Sequence, residues 1–105
     1  MYKYFSILLL LILVNACVEP DSSNNNKPEN VGLSIYTKNC VMCHGNDGKL
    51  NAMKAKDLSI SVLSSELTKQ AIEKGSPEKG MPAYGPRLSA EELNTLTEYV
   101  LQLRK

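Results

Sequence analysis

Apolar and polar positions divide the chain into three stretches. Residues 5–14 are apolar apart from Ser6. Residues 17–30 carry three consecutive Asn and two Pro and almost no apolar side chain. From residue 31 onward apolar positions return at helical spacing, and no alternating strand pattern competes with them. Val31, Ile35 and Tyr36 predict a helix running from Gly32 to Asn39. A second short helix is expected from Glu66 to Lys74, with Ser65 as its N-cap, Gly75 at its end and Pro77 beyond. The third signal is the clearest: Ser89-Ala-Glu-Glu92 reads as a capping box, flanked by Leu88 and Leu93 as a hydrophobic staple. Leu93, Leu96, Val100 and Leu103 then form one apolar stripe, and Arg104 and Lys105 suit the negative end of that helix.

The first stretch is too short to cross a bilayer, where a helix needs about 20 apolar residues. With Lys3 ahead of it, it fits the apolar region of a secretory signal. Val14, Asn15 and Ala16 before Cys17 resemble the end of a bacterial lipoprotein signal, although Ala or Ser is more usual than Asn at that place. The expected division is therefore a lipoprotein signal over 1–16, a flexible tether over 17–30 and a folded domain over 31–105. Cys17 would be the acylated first residue of the exported protein, anchoring it on the periplasmic side of a membrane or elsewhere in a bacterial cell envelope. The alternative is ordinary cleavage nearby, with Cys17 left as a spare thiol. A polar segment like 17–30 cannot bury enough surface to fold, and as a tether it reaches ~20 Å.

Charge adds little steering. The whole chain has 12 Lys and Arg against 11 Asp and Glu, and loss of Lys3 with the signal makes the two equal. No basic face is offered to nucleic acid, and no polybasic patch to a membrane. The folded stretch has no Trp, and the only Phe of the chain lies in the signal. A core of this composition is marginal on its own, and a large apolar cofactor would complete it.

The chemistry lies at Cys40-Val-Met-Cys43-His44. Two thiols separated by two residues can meet the two vinyl groups along one edge of a porphyrin, and an adjacent imidazole can bind the iron, so C-x-x-C-H reads as c-type haem attachment. A structural zinc site wants four ligands where two Cys and one His are present. A thioredoxin-like pair wants a βαβ setting. A purely structural Cys pair would constrain almost nothing. His44 is the only histidine, so a second imidazole is unavailable. Met1 leaves with the signal, Met42 lies inside the motif and Met53 follows His44 on the loop expected to cover its side. Met81, in Gly80-Met-Pro-Ala-Tyr84, is the candidate sixth ligand; otherwise it is a loop thioether without a partner.

Residues 31–105 resemble a class I cytochrome c. Gly32 and Tyr36 precede Cys40 at that family's spacing, Leu96 and Tyr99 sit where its last helix crosses the first, and Met81-Pro82 matches its distal-ligand loop. Leu58 falls at its apolar haem contact. Lys56 replaces a usual Pro whose carbonyl accepts a hydrogen bond from the proximal His. The resemblance implies an all-α fold of three to four helices around one covalent haem c held by Cys40 and Cys43, with His44 and Met81 on the iron. It implies a single-electron carrier, not an enzyme, working with redox-protein partners such as a membrane oxidase or reductase. Two alternatives stay open: a haem enzyme or gas-binding sensor with a labile Met81, and an electron-entry module of a membrane redox complex.

Overall fold

The computed structural model describes residues 26–104, and among them the fold is all-α. The helices are α1 (Pro28–Asn39), the single turn α2 (Val41–His44), α3 (Ser65–Lys74) and α4 (Ala90–Gln102). Three 3-10 turns, Ala52–Lys54, Leu58–Ile60 and Pro77–Lys79, shape the connections. The signal, Cys17 and the tether up to residue 25 lie outside the described residues. No helix among the described residues is long and apolar enough to cross a membrane.

Helix α1 starts earlier than expected. Pro28 opens it, because proline's missing N–H costs nothing in a first turn and its fixed φ is already helical. Residues 28–30, assigned above to the tether, therefore belong to the folded unit. Helix α3 is capped by Ser64 rather than Ser65: the Leu67 N–H donates to Ser64 Oγ at 3.2 Å. The capping box of α4 is present as expected. Ser89 N–H donates to Glu92 Oε2 at 2.8 Å, and Glu92 N–H donates to Ser89 Oγ at 3.1 Å.

The core sits where α4 packs across α1 and α3. Its buried apolar side chains are Tyr36, Ile72, Tyr84, Leu93, Leu96 and Val100. Leu88 and Leu103 pack against them from either end of α4. Thr97 is buried in the same face although it is polar, and its hydroxyl is satisfied by donating to the Leu93 carbonyl at 2.7 Å. Arg104 reaches from the end of α4 to α3, donating from Nη2 to Thr68 Oγ1 at 3.0 Å.

The α1–α4 crossing is closed by the absence of a side chain. A Cβ on Gly32 would lie 2.8 Å from Tyr99 Cβ and 2.9 Å from the Thr95 carbonyl oxygen, so the two backbones are in direct contact there. One turn on, Tyr36 packs its ring 5.2 Å from that of Tyr99 in a tilted arrangement. Gly32→Val should force the helices apart and lower stability by roughly 1–3 kcal/mol, as overpacking does. Thermal denaturation followed by circular dichroism checks this, and an unchanged melting temperature would refute the crossing.

Candidate haem site

Helix α1 delivers the motif. It ends at Asn39, and α2 carries Cys43 and His44 on one further turn, closed by His44 N–H donating to the Cys40 carbonyl at 2.9 Å. Both thiols are unpaired and half-buried. Burial pushes the Cys40 thiol up to about 11, and the neighbouring Cys43 adds to the rise. No βαβ unit surrounds the pair among the described residues, so the geometry gives no support to a thioredoxin-like reading. Among the described residues no group of three or more His, Cys, Asp or Glu side chains is placed to hold a metal ion, which leaves the zinc reading without a ligand set.

The two ends of the motif are held by phenols. Tyr36 Oη donates to the Gly45 carbonyl at 2.6 Å, one residue past His44. Tyr84 Oη donates to the Asn39 carbonyl at 3.1 Å, one residue before Cys40. Burial is the main cause that raises both phenols above their ordinary range, so they stay protonated donors at neutral pH. Tyr84 follows the Met81 loop directly, so this bond ties that loop to the motif.

His44 Nδ1 lies 2.9 Å from the Lys56 carbonyl oxygen. A carbonyl only accepts, so Nδ1 carries the proton and Nε2 keeps the lone pair available to a metal. The loop that brings Lys56 there is pinned by its own backbone: Leu50 N–H donates to the His44 carbonyl at 2.9 Å, and Leu58 N–H to the Gly48 carbonyl at 2.7 Å. Met53 and Lys54 in this loop adopt positive φ, 53° and 64°, the only non-glycine residues described that do so. Met53 thereby reaches out of the His44 loop, its methyl 3.7 Å from where a Cβ on Gly80 would stand. Sequence spacing placed Met53 on the His44 side and gave no sign of this second contact.

Met81 is half-buried and packs against the core, as Cys40 and Leu58 do. Ser76 N–H donates to the Met81 carbonyl at 2.9 Å, and Met81 N–H donates to the Ser76 carbonyl at 3.1 Å, closing a small loop over the Pro77–Lys79 turn. Below it, Tyr84 N–H donates to the Ile72 carbonyl at 3.1 Å. The structure thus gives each candidate ligand its own support. Exposed apolar side chains, which a large flat apolar group would suit, recur from the motif to the first turn of α3: Met42 within the motif, Met53, Ile60, Val62 and Leu63 after it, and Leu67 in α3.

Lys56 serves His44 through its carbonyl, so a proline there keeps the acceptor. Ala55 already has φ −58° and ψ 143°, the extended conformation that proline requires of its predecessor. Lys56→Pro should preserve the bond and raise stability by about 0.4–1 kcal/mol through a less flexible unfolded chain. The melting temperature measures this, and a fall would mean that the loop cannot take proline.

Comparisons with known proteins identify the family. The family model described as cytochrome c oxidase, cbb3-type, subunit III matches residues 28–100. Cytochrome c6 of Microcystis aeruginosa is 35% identical over 80 residues, covering 67% of this chain and 90% of that protein. Cytochrome c6 of Aphanizomenon flos-aquae is 32% identical over 74 residues, covering 68% of this chain and 85% of the relative. The cbb3-type cytochrome c oxidase subunit FixP of Azorhizobium caulinodans is 36% identical over 74 residues, covering 66% of this chain but 25% of that longer protein. No solved structure matches. The matched stretch starts at Pro28, where α1 starts, and holds the motif, the Met81 loop and most of α4. The chain belongs to the family of that cbb3-type subunit III model: it is a class I mono-haem cytochrome c, an electron carrier with one covalently bound c-type haem.

Proposed function

We propose that Cys40 and Cys43 form the two thioether links to the haem, that His44 Nε2 and Met81 Sδ hold its iron, and that the protein is a membrane-tethered single-electron carrier and not an enzyme. The observation that carries this reading is the hydrogen bond from His44 Nδ1 to the Lys56 carbonyl, which fixes the tautomer and orients Nε2 as a ligand. Bound haem supplies a one-electron couple at its iron. The chain's part is to hold both axial groups so that little moves when the charge changes. The backbone pair at Ser76 keeps Met81 in register, and with His44 and Met81 both holding the iron, the thioether would raise the potential and leave no position for substrate.

A second reading has a specific observation behind it. The similarity to subunit III and to FixP favours a role as an electron-entry module that delivers electrons into a membrane oxidase. The tether is compatible with a module and with a shuttle, and in both the partners are redox proteins at a membrane. Residues 1–16 are then a lipoprotein signal, Cys17 carries the lipid, and residues 17–27 span the distance to the folded unit. One acyl chain binds a membrane only marginally, so stable anchoring needs the several chains of a lipoprotein.

Two measurements test these assignments. In the oxidised wild-type protein a weak far-red sulfur-to-iron charge-transfer band is expected, together with resistance to carbon monoxide in the reduced state. Met81→Ala should abolish the band, admit carbon monoxide and lower the potential. Ready carbon monoxide binding by the wild type, with no effect of Met81→Ala, would favour the enzyme or gas-sensor alternative.

Cys17→Ala should release the protein from the membrane fraction and remove the lipid from its intact mass. Wild-type protein recovered soluble and without lipid would exclude the anchor.

A further inference from the structure

We propose that Gly75 is a positioning residue for the sixth iron ligand: its bare Cα lets the backbone after Met81 close against the end of α3 and thereby sets where the Met81 thioether stands. The proposal rests on the reading of Met81 as an iron ligand, and it goes beyond that reading by assigning the ligand's position to a glycine whose close neighbours are the backbone atoms of Pro82 and Ala83.

Gly75 ends α3 with φ 61° and ψ −165°, a conformation open in practice only to glycine. The neighbouring atoms make the requirement sharper than conformation alone. A Cβ at this position would lie 2.3 Å from the Pro82 carbonyl oxygen, 2.5 Å from the Pro82 carbonyl carbon and 2.7 Å from the Ala83 nitrogen. All three are backbone atoms, so no rotamer change relieves the overlap, and the 82–83 segment has to move. Met81 is bonded directly to Pro82. Its own N–H and C=O are exchanged with Ser76, the residue after Gly75. The close approach and the paired hydrogen bonds therefore sit side by side, and a displacement of Pro82 acts on Met81 through one peptide unit.

Gly85 provides a comparison in the same region. A Cβ there would lie 2.8 Å from Glu73 Cγ, part of an exposed flexible side chain, and 3.1 Å from the Glu73 carbonyl oxygen. Its φ is outside the left-handed region. Gly85→Ala therefore asks a side chain to turn and one carbonyl oxygen to give by a few tenths of an ångström, whereas Gly75→Ala asks the Met81 loop to shift.

The experiment uses the haem-loaded full chain. Gly75→Ala should keep the haem covalently attached and keep wild-type helical content. It should lose the far-red charge-transfer band, bind carbon monoxide when reduced and have a lower potential, approaching Met81→Ala in all three. Gly85→Ala should keep the band and exclude carbon monoxide. A Gly75→Ala protein with the band, the potential and carbon monoxide exclusion intact overturns the role of Gly75 while leaving Met81 as ligand. A band absent from wild type, or unaffected by Met81→Ala, overturns the ligand reading and this proposal with it. Should Gly75→Ala not accumulate, the double variant Gly75→Ala/Pro82→Gly gives the 82–83 backbone more freedom to yield to the added Cβ. Loss of the band in it beyond that in Pro82→Gly alone supports the positioning role, and the same band in both overturns it.

Discussion

The crossing of α1 and α4 at Gly32 is the contact on which the rest of the molecule depends. Because Gly32 has no side chain, Tyr99 and the Thr95 carbonyl approach the α1 backbone directly. That approach buries Tyr36 to 1% exposure and Leu96 to 0%. Tyr36 then sends its hydroxyl out of the core to the Gly45 carbonyl, and Tyr84 sends its own to the Asn39 carbonyl. The residues of the motif lie between those two carbonyls. A net contribution of about 1 kcal/mol per hydrogen bond is modest, but a buried phenol left unpaired would cost more than the bond is worth. The helix crossing and the position of the motif are therefore one packing problem.

Both candidate axial ligands are supported by main-chain groups. His44 is oriented by the carbonyl of Lys56, and Met81 by its exchange of hydrogen bonds with Ser76. A carbonyl is present whatever the side chain, which is why a lysine serves at this position as a proline would. What the substitution changes is the stiffness of the loop around the acceptor, since proline would restrict φ and lysine does not. On the Met81 side the corresponding constraint is steric, and it falls on Gly75, which has no side chain and whose N–H is already given to the Ala71 carbonyl.

The sequence disclosed these features unevenly, for physical reasons. The capping box at Ser89 and Glu92 is a local code read within four residues, and it appears as expected. The apolar stripe of α4 was legible because burial repeats with the helix period, although Thr97 was not, since its burial depends on a hydroxyl turned back to Leu93. Pro28 misled at the start of α1 because proline marks both linkers and first helical turns. The Ser64 and Ser65 ambiguity at α3 has a similar source: adjacent serines are equal as caps until the chain path selects one. The motif residues and Met81 could be named from spacing. The bond from Tyr84 to Asn39 joins residues 45 apart, and the Met53 methyl near Gly80 depends on two successive left-handed residues that are neither Gly nor Asn. Those contacts follow from loop paths, which no periodicity encodes.

The distribution of apolar side chains explains why covalent attachment suits so small a domain. Six apolar side chains are buried among the described residues, and they line the junction of α4 with α1 and α3. The stretch from the motif to α3 contributes none of the six, although it holds Ile60, Val62 and Leu63. Covering a side chain of that kind is worth about 1.5–3 kcal/mol, so a cofactor laid against even two of them contributes on the scale of the whole net stability of a small domain. A group with that share of the core has to remain in place when the loops around it open. Dissociation would remove the apolar cover and the iron ligation together. Covalent attachment makes re-closure intramolecular, so local opening around the cofactor does not end in its loss. The Met81 loop, tied by hydrogen bonds to Ser76, Ile72 and Asn39, can then open locally without endangering the fold.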